Sequence, residues 1–197
     1  MKFRVIIVFV FFACCLSIGI SIAHNKVAVI PLIDDGITCS GILVGTRWCD
    51  NGDQTVTDMT TGLIWLRHAD WGEEKPWRSD TPGGYDDAHT RAGLLEDGEV
   101  VYYGIGGYEF ILNDGSDVGD WRLPTKTELY NLIRGTEAVR NSSMRAFRGV
   151  QPSLYWSSST WWEGAINYAR VMHMENGTQF YDEKIDSHYV WPVRSSN

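Results

Sequence analysis

The chain has 197 residues, with 25 acidic and 17 basic side chains and a formal net charge of −8. Its length suits one domain with a substantial hydrophobic core. Its acidity disfavours nucleic acid and anionic lipid as principal partners, because both carry negative charge of their own. A local basic patch is still compatible with these numbers.

The first 23 residues have the pattern of a secretory signal peptide. Lys2 and Arg4 precede an almost wholly apolar stretch over residues 5–22, and Ala23 ends a small-x-small cleavage motif. A retained membrane anchor is the alternative, since the apolar stretch approaches the length that spans a bilayer. Cleavage after Ala23 would remove two basic residues and no acidic ones, so the mature chain would be still more acidic. We expect an exported protein, periplasmic, extracellular or at the cell surface, with no stable membrane span after cleavage.

The cysteines favour one disulfide bond. Cys14 and Cys15 lie in the predicted signal peptide, so cleavage leaves Cys39 and Cys49. A lipid anchor at Cys14 or Cys15 is a weaker alternative, because two phenylalanines shortly before them fit such a site poorly. An exported protein meets an oxidising compartment, which favours a bond between Cys39 and Cys49 over two free thiols. No C-x-x-C redox motif is present, so we expect the bond to be structural.

The remaining chain divides into an N-terminal arm over residues 24–47, which includes the first mature cysteine, and a domain over residues 48–197. The domain opens with the turn chemistry of Asp-Asn-Gly-Asp at residues 50–53. Two β-prone runs follow at residues 55–57 and 63–66 and indicate a small hairpin. The acidic turn lacks both the residue order and the distant glutamate of a calcium loop. We therefore expect a solvated turn there.

A helical period and an inserted hairpin come next. Tyr85, Ala88, Ala92 and Leu95 fall on one helical face and predict a first helix. Two β-rich runs around residues 104–107 then indicate a hairpin. We expect its aromatic side chains to pack on the core, with an exposed aromatic flap as the alternative. These side chains are Tyr102, Tyr103, Tyr108 and Phe110.

The stretch GDWRLPTKTELYNLI predicts a second helix with a well-defined start. Thr125 and Glu128 have the spacing of a capping box, in which each side chain bonds the backbone N–H of the other residue. Leu129, Leu132 and Ile133 then give the helix one apolar face.

Strand patterns fill the C-terminal part of the chain. Residues 154–160 form one run, and residues 165–174 and 179–184 flank an Asn-Gly turn that indicates a hairpin. Residues 188–194 give a closing strand. The sequence therefore predicts an α+β fold with two main helices, short, mostly antiparallel strands and long loops.

Four motifs, DNGDQTVTDMTTGLIW, GDWRLPTKTELYNLI, YWSSST and YVWPVR, occur in this order. Together they resemble the Lcl C-terminal domain family of bacterial exported proteins, and the resemblance covers residues 48–194. Gln54 stands at a usual glycine, Trp191 stands at a usual arginine, and the inserted hairpin is longer than the family's link. The resemblance implies a C-type-lectin-like fold related to formylglycine-generating enzymes. In that fold Trp121 and Arg122 would be scaffold, as a core residue and a member of a buried pair.

Catalysis is not expected. The formylglycine-generating enzymes use a cysteine pair with bound copper late in the chain, whereas no cysteine follows Cys49 here. Ser157, Ser158 and Ser159 stand in no G-x-S-x-G elbow. The histidines show neither H-E-x-x-H nor paired zinc spacing. They are scattered as His68, His89, His173 and His188. We expect no enzymatic activity, no cofactor and no metal.

A binding module is the expected class, and the argument begins from Trp161 and Trp162. Adjacent residues of a strand point to opposite faces, so a doublet in a loop cannot easily bury both rings. Aromatic faces suit sugar rings and choline-like or peptide ligands. Arg170 and His173 interrupt a mostly apolar strand, where a buried unpaired charge would be costly. The predicted ligand-binding residues are Trp161, Trp162, Asn167, Arg170, His173 and Tyr181.

Alternatives stay open for both the site and the protein. The two tryptophans could cover an open edge of the core, and Arg170 could pair with Glu163 or Asp182 as an ordinary surface contact. We expect an adhesin-like module that binds glycans or a surface protein. An envelope structural or assembly protein with no small ligand is the alternative. The family's namesake adhesin domain binds sulfated polysaccharides, an activity that transfers poorly onto a chain this acidic. The oligomeric state is not predicted.

Overall fold

The computed structural model of the protein describes residues 37–78, 86–134, 146–161 and 166–196. The predicted signal peptide and most of the predicted N-terminal arm lie outside these ranges, as do Tyr85, Trp162 and Glu163. A search of the described ranges finds no helix long and apolar enough to cross a membrane.

The described residues form twelve short strands and two short helices. The strands are β1 (Ile42–Val44), β2 (Trp48–Asp50), β3 (Thr55–Asp58), β4 (Ile64–Leu66), β5 (Glu74–Pro76), β6 (Val100–Tyr103), β7 (Glu109–Ile111), β8 (Leu154–Thr160), β9 (Tyr168–His173), β10 (Gln179–Glu183), β11 (Ser187–Tyr189) and β12 (Val193–Arg194). The helices are α1 (Ala88–Gly93) and α2 (Lys126–Ile133).

One five-stranded sheet has the order β1-β2-β3-β4-β12, and all its pairings are antiparallel. The acidic turn between β2 and β3 is held by its own carboxylates. The Gly52 N–H donates to Oδ1 of Asp50 at 3.1 Å, and the Thr55 N–H donates to Oδ1 of Asp53 at 2.9 Å. The pairing of β3 with β4 confirms the hairpin predicted at this place.

The second five-stranded sheet has the order β10-β9-β8-β11-β5. Its pairings are antiparallel except that β11 runs parallel to β8. The hairpin of β9 and β10 places Tyr181 opposite Arg170, and Gly177 in the connecting turn has a φ of +75°. Glycine adopts that left-handed conformation without steric cost, so the predicted Asn-Gly hairpin is confirmed.

The prediction of an α+β fold with two main helices is wrong, because the regular structure of the described residues is mostly β-sheet, in three sheets. The C-type-lectin-like relationship stays a prediction. The helix α1 has six residues and α2 has eight. Ala88, Ala92 and Leu95 are all buried, as their spacing predicted, but α1 ends before Leu95. The helix α2 ends at Ile133 because Arg134 is extended. Apolar spacing identified the buried face, but it did not fix the number of helical turns.

The start of α2 is confirmed as a capping box. The Glu128 N–H donates to Oγ1 of Thr125 at 3.2 Å, and the Thr125 N–H donates to Oε2 of Glu128 at 2.7 Å. Both Nη atoms of Arg122 also donate to the Glu128 carboxylate, at 2.8 and 2.9 Å. Burial raises the pKa of Glu128, but hydrogen bonds from Arg122 and Thr125 outweigh it, so the net pKa is lowered. The predicted pair exists, although the Arg122 side chain is 42 % exposed rather than buried.

Tryptophan supplies much of the core. Trp48, Trp65, Trp121, Trp156 and Trp191 are each at most 1 % exposed. The rings of Trp65 and Trp191 meet edge to face with centroids 5.5 Å apart. Such aromatic pairs add roughly 0.5–1.5 kcal/mol beyond the area they bury. The tryptophan-rich composition is therefore explained mainly by packing.

The predicted disulfide is confirmed between Cys39 and Cys49, whose Cα atoms lie 5.5 Å apart. Cys49 lies in β2 and is buried, whereas Cys39 belongs to the segment that leads into β1. The bond therefore ties the entering chain to the first sheet.

The inserted hairpin of β6 and β7, which we name the flap, forms a two-stranded sheet of its own. The expectation that its aromatic residues pack on the core is wrong, because Tyr103 is 64 % and Tyr108 is 76 % exposed. In the described part of the chain the two strands pair only with each other and extend neither larger sheet. Tyr102 and Phe110 are partly covered because they approach His68.

Candidate functional site

Trp161 lies at the end of β8 and forms a stacked pair with Tyr181 of β10. The ring centroids are 4.4 Å apart and the ring planes differ by 16°. The Trp161 N–H donates to the carbonyl oxygen of Tyr168 at 3.3 Å, which extends the pairing of β8 with β9 by one residue. Trp161 remains 39 % exposed and Tyr181 49 % exposed. Two of the predicted site residues are thus in contact on a strand scaffold.

Tyr168 is a third member of this group, and the sequence analysis missed it. Its ring meets Trp161 and Tyr181 edge-on, with centroid distances of 6.2 and 5.9 Å. Its hydroxyl donates to Oε1 of Glu183 at 3.2 Å, and this hydrogen bond is the main cause of its raised pKa. The side-chain alternation of β9 and β10 could have revealed Tyr168, because it shares a face with Arg170 and Tyr181. We name Trp161, Tyr168 and Tyr181 the aromatic surface.

Arg170 and Asn167 lie beside the aromatic surface. Arg170 stands opposite Tyr181 in the sheet, and its Nε is buried with no hydrogen-bond partner among the described residues. The alternative pairing with Asp182 is not seen, since that carboxylate bonds Nε2 of His188 at 2.9 Å. Asn167 lines a small cavity of about 200 Å³ together with Arg78, Tyr168, Glu183, Lys184 and Ile185. Ligand contact by either residue stays a prediction.

His173 is separated from these residues. It occupies the opposite end of β9 from Tyr168 and pairs with Leu154. Five strand steps correspond to about 16 Å, and the alternation of the strand directs His173 to the other face from Tyr168. Its Nδ1 accepts the Glu175 N–H at 3.3 Å. Trp162 lies outside the described residues, and so does the alternative partner Glu163. Ligand binding by all six residues stays a prediction.

A cleft beneath the flap is a second candidate site, and the sequence analysis did not find it. Its volume is about 420 Å³, within the range of small-molecule sites. We name it the His68 cleft. It is lined by Gln54, Arg67, His68, Asp70, Tyr102, Phe110, Arg148 and Gly149.

Backbone pairing between two distant segments builds the floor of the His68 cleft. The Ala69 N–H donates to the Arg148 carbonyl at 2.9 Å, and the Arg148 N–H donates to the Arg67 carbonyl at 2.8 Å. Gly149 has a φ of +64°, and a Cβ there would collide with the Asp70 carboxylate. Glycine is therefore required both by the backbone conformation and by the close approach of Asp70.

His68 lies in this cleft as a neutral imidazole at neutral pH. It is 4 % exposed, and Tyr102 stacks on its ring with centroids 4.4 Å apart. Burial, and then the charges of Arg67 and Arg148, lower the pKa of His68 from 6.5 to about 4. Its Nδ1 is buried and has no hydrogen-bond partner among the described residues. Buried polar atoms are usually paired, so this nitrogen is an unusual feature of the cleft.

Charged groups of both signs line the His68 cleft. Arg67 pairs with Asp50 outside the lining, with Nη2 and Oδ2 2.9 Å apart. Arg148, with a positive charge, and Asp70, with a negative one, also line the cleft. Asp70 also accepts a hydrogen bond of 3.3 Å from Nε2 of Gln151. The cleft thus offers hydrogen-bond donors and acceptors side by side.

Gln54 adds an unusual backbone feature to the cleft, because its φ is +73°. Non-glycine residues adopt this left-handed conformation at a cost, and such residues concentrate at functional sites. The usual family glycine at this position was the sequence signal for a special turn.

Elsewhere in the described ranges, as in this cleft, no three His, Cys, Asp or Glu side chains are grouped so that they could hold a metal ion.

These features define the class of the protein as a domain of mostly antiparallel β-sheet with an internal disulfide bond and a tryptophan-rich core. Two candidate sites, each with aromatic and polar residues, lie on this domain. The chain belongs to the Lcl C-terminal domain family, since the model of that family matches residues 54–194. The match includes the aromatic surface and the whole lining of the His68 cleft. No curated protein matches the chain. The family and the disulfide are consistent with an exported protein.

Proposed function

We propose that this protein is an exported, non-catalytic, adhesin-like recognition module that binds glycans, free or on a surface protein, through the aromatic surface. The single observation that carries the proposal is the stacked, partly exposed pair of Trp161 and Tyr181. Each ring covers one face of the other, and both side chains remain partly exposed on a strand scaffold. The signal-peptide pattern and the disulfide support export.

Sugar rings present C–H groups on one face and hydroxyls around the edge, so they need an apolar platform with polar neighbours. The pair of Trp161 and Tyr181 supplies the platform. The Tyr168 hydroxyl, the Glu183 carboxylate and the Arg170 guanidinium lie on the same face of the hairpin and supply polar contacts. The strands hold these groups, which lowers the entropy lost on binding.

The Ser157 hydroxyl, in the serine run of β8, has a structural role. The Ser157 hydroxyl donates to the Arg170 carbonyl at 2.9 Å, and the Ser159 N–H donates back to Oγ of Ser157 at 3.2 Å. Ser157 is therefore committed to holding β8 against β9. A nucleophilic serine would instead be hydrogen-bonded to a general base.

A glycan array with the mature chain, residues 24–197, tests the proposal, followed by affinity measurements on the best ligand. Trp161→Ala and Tyr181→Ala should each weaken binding at least about tenfold, a loss of about 1.4 kcal/mol. Phe180→Ala is the matched control, because Phe180 is 46 % exposed but faces the other side of β10. It should leave the affinity unchanged.

The thermal unfolding midpoint of each variant must also stay close to that of the parent. Full affinity in both Trp161→Ala and Tyr181→Ala would contradict the proposal. Unfolding of both variants would instead show that the rings belong to the scaffold.

An envelope structural or assembly protein without a small ligand is the second candidate. The exposed flap favours it, because Ile105 is 98 % and Tyr108 76 % exposed. Large exposed apolar residues in one element are typical of contacts between proteins. An empty array together with concentration-dependent assembly, lost in Ile105→Ser and Tyr108→Ser, would favour this function over glycan binding.

A further inference from the structure

We propose that the His68 cleft is a second binding site, separate from the aromatic surface, and that it takes one uncharged sugar ring. The inference extends the proposed function by a second site and a ligand class. It rests on different residues, so it can hold even where the aromatic surface binds nothing.

The walls of the cleft match the two kinds of surface on a pyranose. Tyr102 and Phe110 are 43 % and 41 % exposed and form an apolar wall from the flap, with their ring centroids 5.6 Å apart. The facing floor presents the Asp70 carboxylate as an acceptor and the Arg148 guanidinium as a donor. A sugar can place its C–H face on the rings and direct its hydroxyls to this floor.

The electrostatics of the cleft select an uncharged ligand. His68 carries no charge at neutral pH, and Arg67 is paired with Asp50. A carboxylated or sulfated sugar would be attracted by Arg148 but repelled by Asp70, whose carboxylate accepts a hydrogen bond from Gln151. Neutral hydroxyls avoid this repulsion and use both groups.

The unpartnered Nδ1 of His68 is independent support for a ligand. A buried nitrogen without a partner costs free energy, and a hydroxyl that reached it would supply the missing hydrogen bond. Tyr102 of the flap covers the ring of His68. A ligand that reaches the Nδ1 atom of His68 therefore depends on the position of the flap. The left-handed Gln54 lines the same cleft and adds a second costly feature there.

The test titrates the folded mature protein with methyl β-glucopyranoside, methyl β-galactopyranoside and methyl α-mannopyranoside, and with glucuronate and N-acetylneuraminate as the charged probes. The ring resonances of His68 in NMR spectra report binding at the cleft. At least one neutral glycoside should shift them in a saturable way, and both charged probes should bind more weakly.

Tyr102→Ala should weaken that binding about fivefold, the effect expected for one lost ring contact. Tyr103→Ala is the matched control: it removes the neighbouring ring, which is more exposed and does not line the cleft. Trp161→Ala should leave the cleft titration unchanged, which separates this inference from the proposed function.

Three results would overturn the inference. They are unmoved His68 resonances with every neutral glycoside, tighter binding of a charged probe, or equal affinities for Tyr102→Ala and Tyr103→Ala. Phe110→Ala repeats the comparison on the other strand of the flap, so it also decides the question for a Tyr102 variant that fails to fold.

Discussion

Gly149→Ala is expected to destabilise the protein more than the same substitution at a left-handed glycine whose added Cβ would meet no neighbouring atom. Gly149 has a φ of +64°, and a Cβ there would strike the Asp70 carboxylate. The backbone conformation alone costs an alanine about 1 to 2 kcal/mol. Displacing Asp70 from its hydrogen bond with Gln151 adds about 1 kcal/mol or more, so the total expected loss is about 2 to 4 kcal/mol.

Gly115→Ala is the matched control for this substitution. Gly115 has a φ of +67°, almost the same as Gly149, and a Cβ there would meet nothing within 4 Å. Gly115→Ala should therefore lower the free energy of unfolding only by the cost of the left-handed backbone conformation, about 1 to 2 kcal/mol. Urea unfolding of both variants and the parent gives the two free energies with the same assay.

The difference between the variants isolates the contact with Asp70. The second substitution Asp70→Ala should recover part of the stability lost in Gly149→Ala, because the colliding carboxylate is gone. Equal losses for Gly149→Ala and Gly115→Ala, or no recovery in the double variant, would refute the packing of Asp70 against Gly149 and the shape of the cleft floor.

Three further changes test separate parts of the fold. Thr125→Ala should lower the free energy of unfolding by about 1 kcal/mol, measured by urea titration; an unchanged midpoint would show that the cap of α2 is dispensable. Protein purified from its native compartment should show no alkylated cysteine by mass spectrometry without reductant. Changing Cys39 and Cys49 together to serine should cost about 2 to 3 kcal/mol for a closed loop of this length. From pH 7 towards pH 4, the parent should lose up to about 3 kcal/mol more stability than His68→Gln, because the unfolded imidazole protonates near 6.5 and the folded one only near 4; parallel pH profiles of the two proteins would refute the buried neutral histidine.

Features set by neighbouring residues could be predicted from the sequence. The capping box depends on Thr125 and Glu128, three positions apart, and the hairpin of β9 and β10 depends on the Asn-Gly turn. The disulfide followed from the two cysteines that remain after the predicted cleavage. In each case the physical cause lies within a short segment, so no tertiary contact had to be known.

The extent of the helices and the exposure of the flap depended on tertiary packing. Leu95 has the helical spacing and is buried, yet it packs in the core from outside α1. The aromatic residues of the flap have a strong β propensity, but this propensity does not determine whether the rest of the protein buries their side chains. Both errors arose because a local sequence pattern was taken to specify tertiary contacts.

The candidate sites divide in the same way. Trp161 and Tyr181 could be proposed because a tryptophan doublet and a hairpin are visible in the sequence. His173 was grouped with them because the strand register, which places it at the far end of β9, was not known from the sequence. The His68 cleft joins chain segments around residues 54, 68, 102 and 148, which only the folded structure brings together. His68 therefore looked like one of several scattered histidines.

The most direct test of the proposed glycan recognition is a crystal structure of the mature domain with the best ligand from the array. The account predicts a sugar ring parallel to the outer face of Trp161 or Tyr181, in van der Waals contact at about 4 Å, with a hydroxyl bonded to Tyr168, Glu183 or Arg170. A glycan bound away from all three rings of the aromatic surface would contradict it. A sugar found only beneath Tyr102 would also contradict it and would leave the His68 cleft as the recognition site.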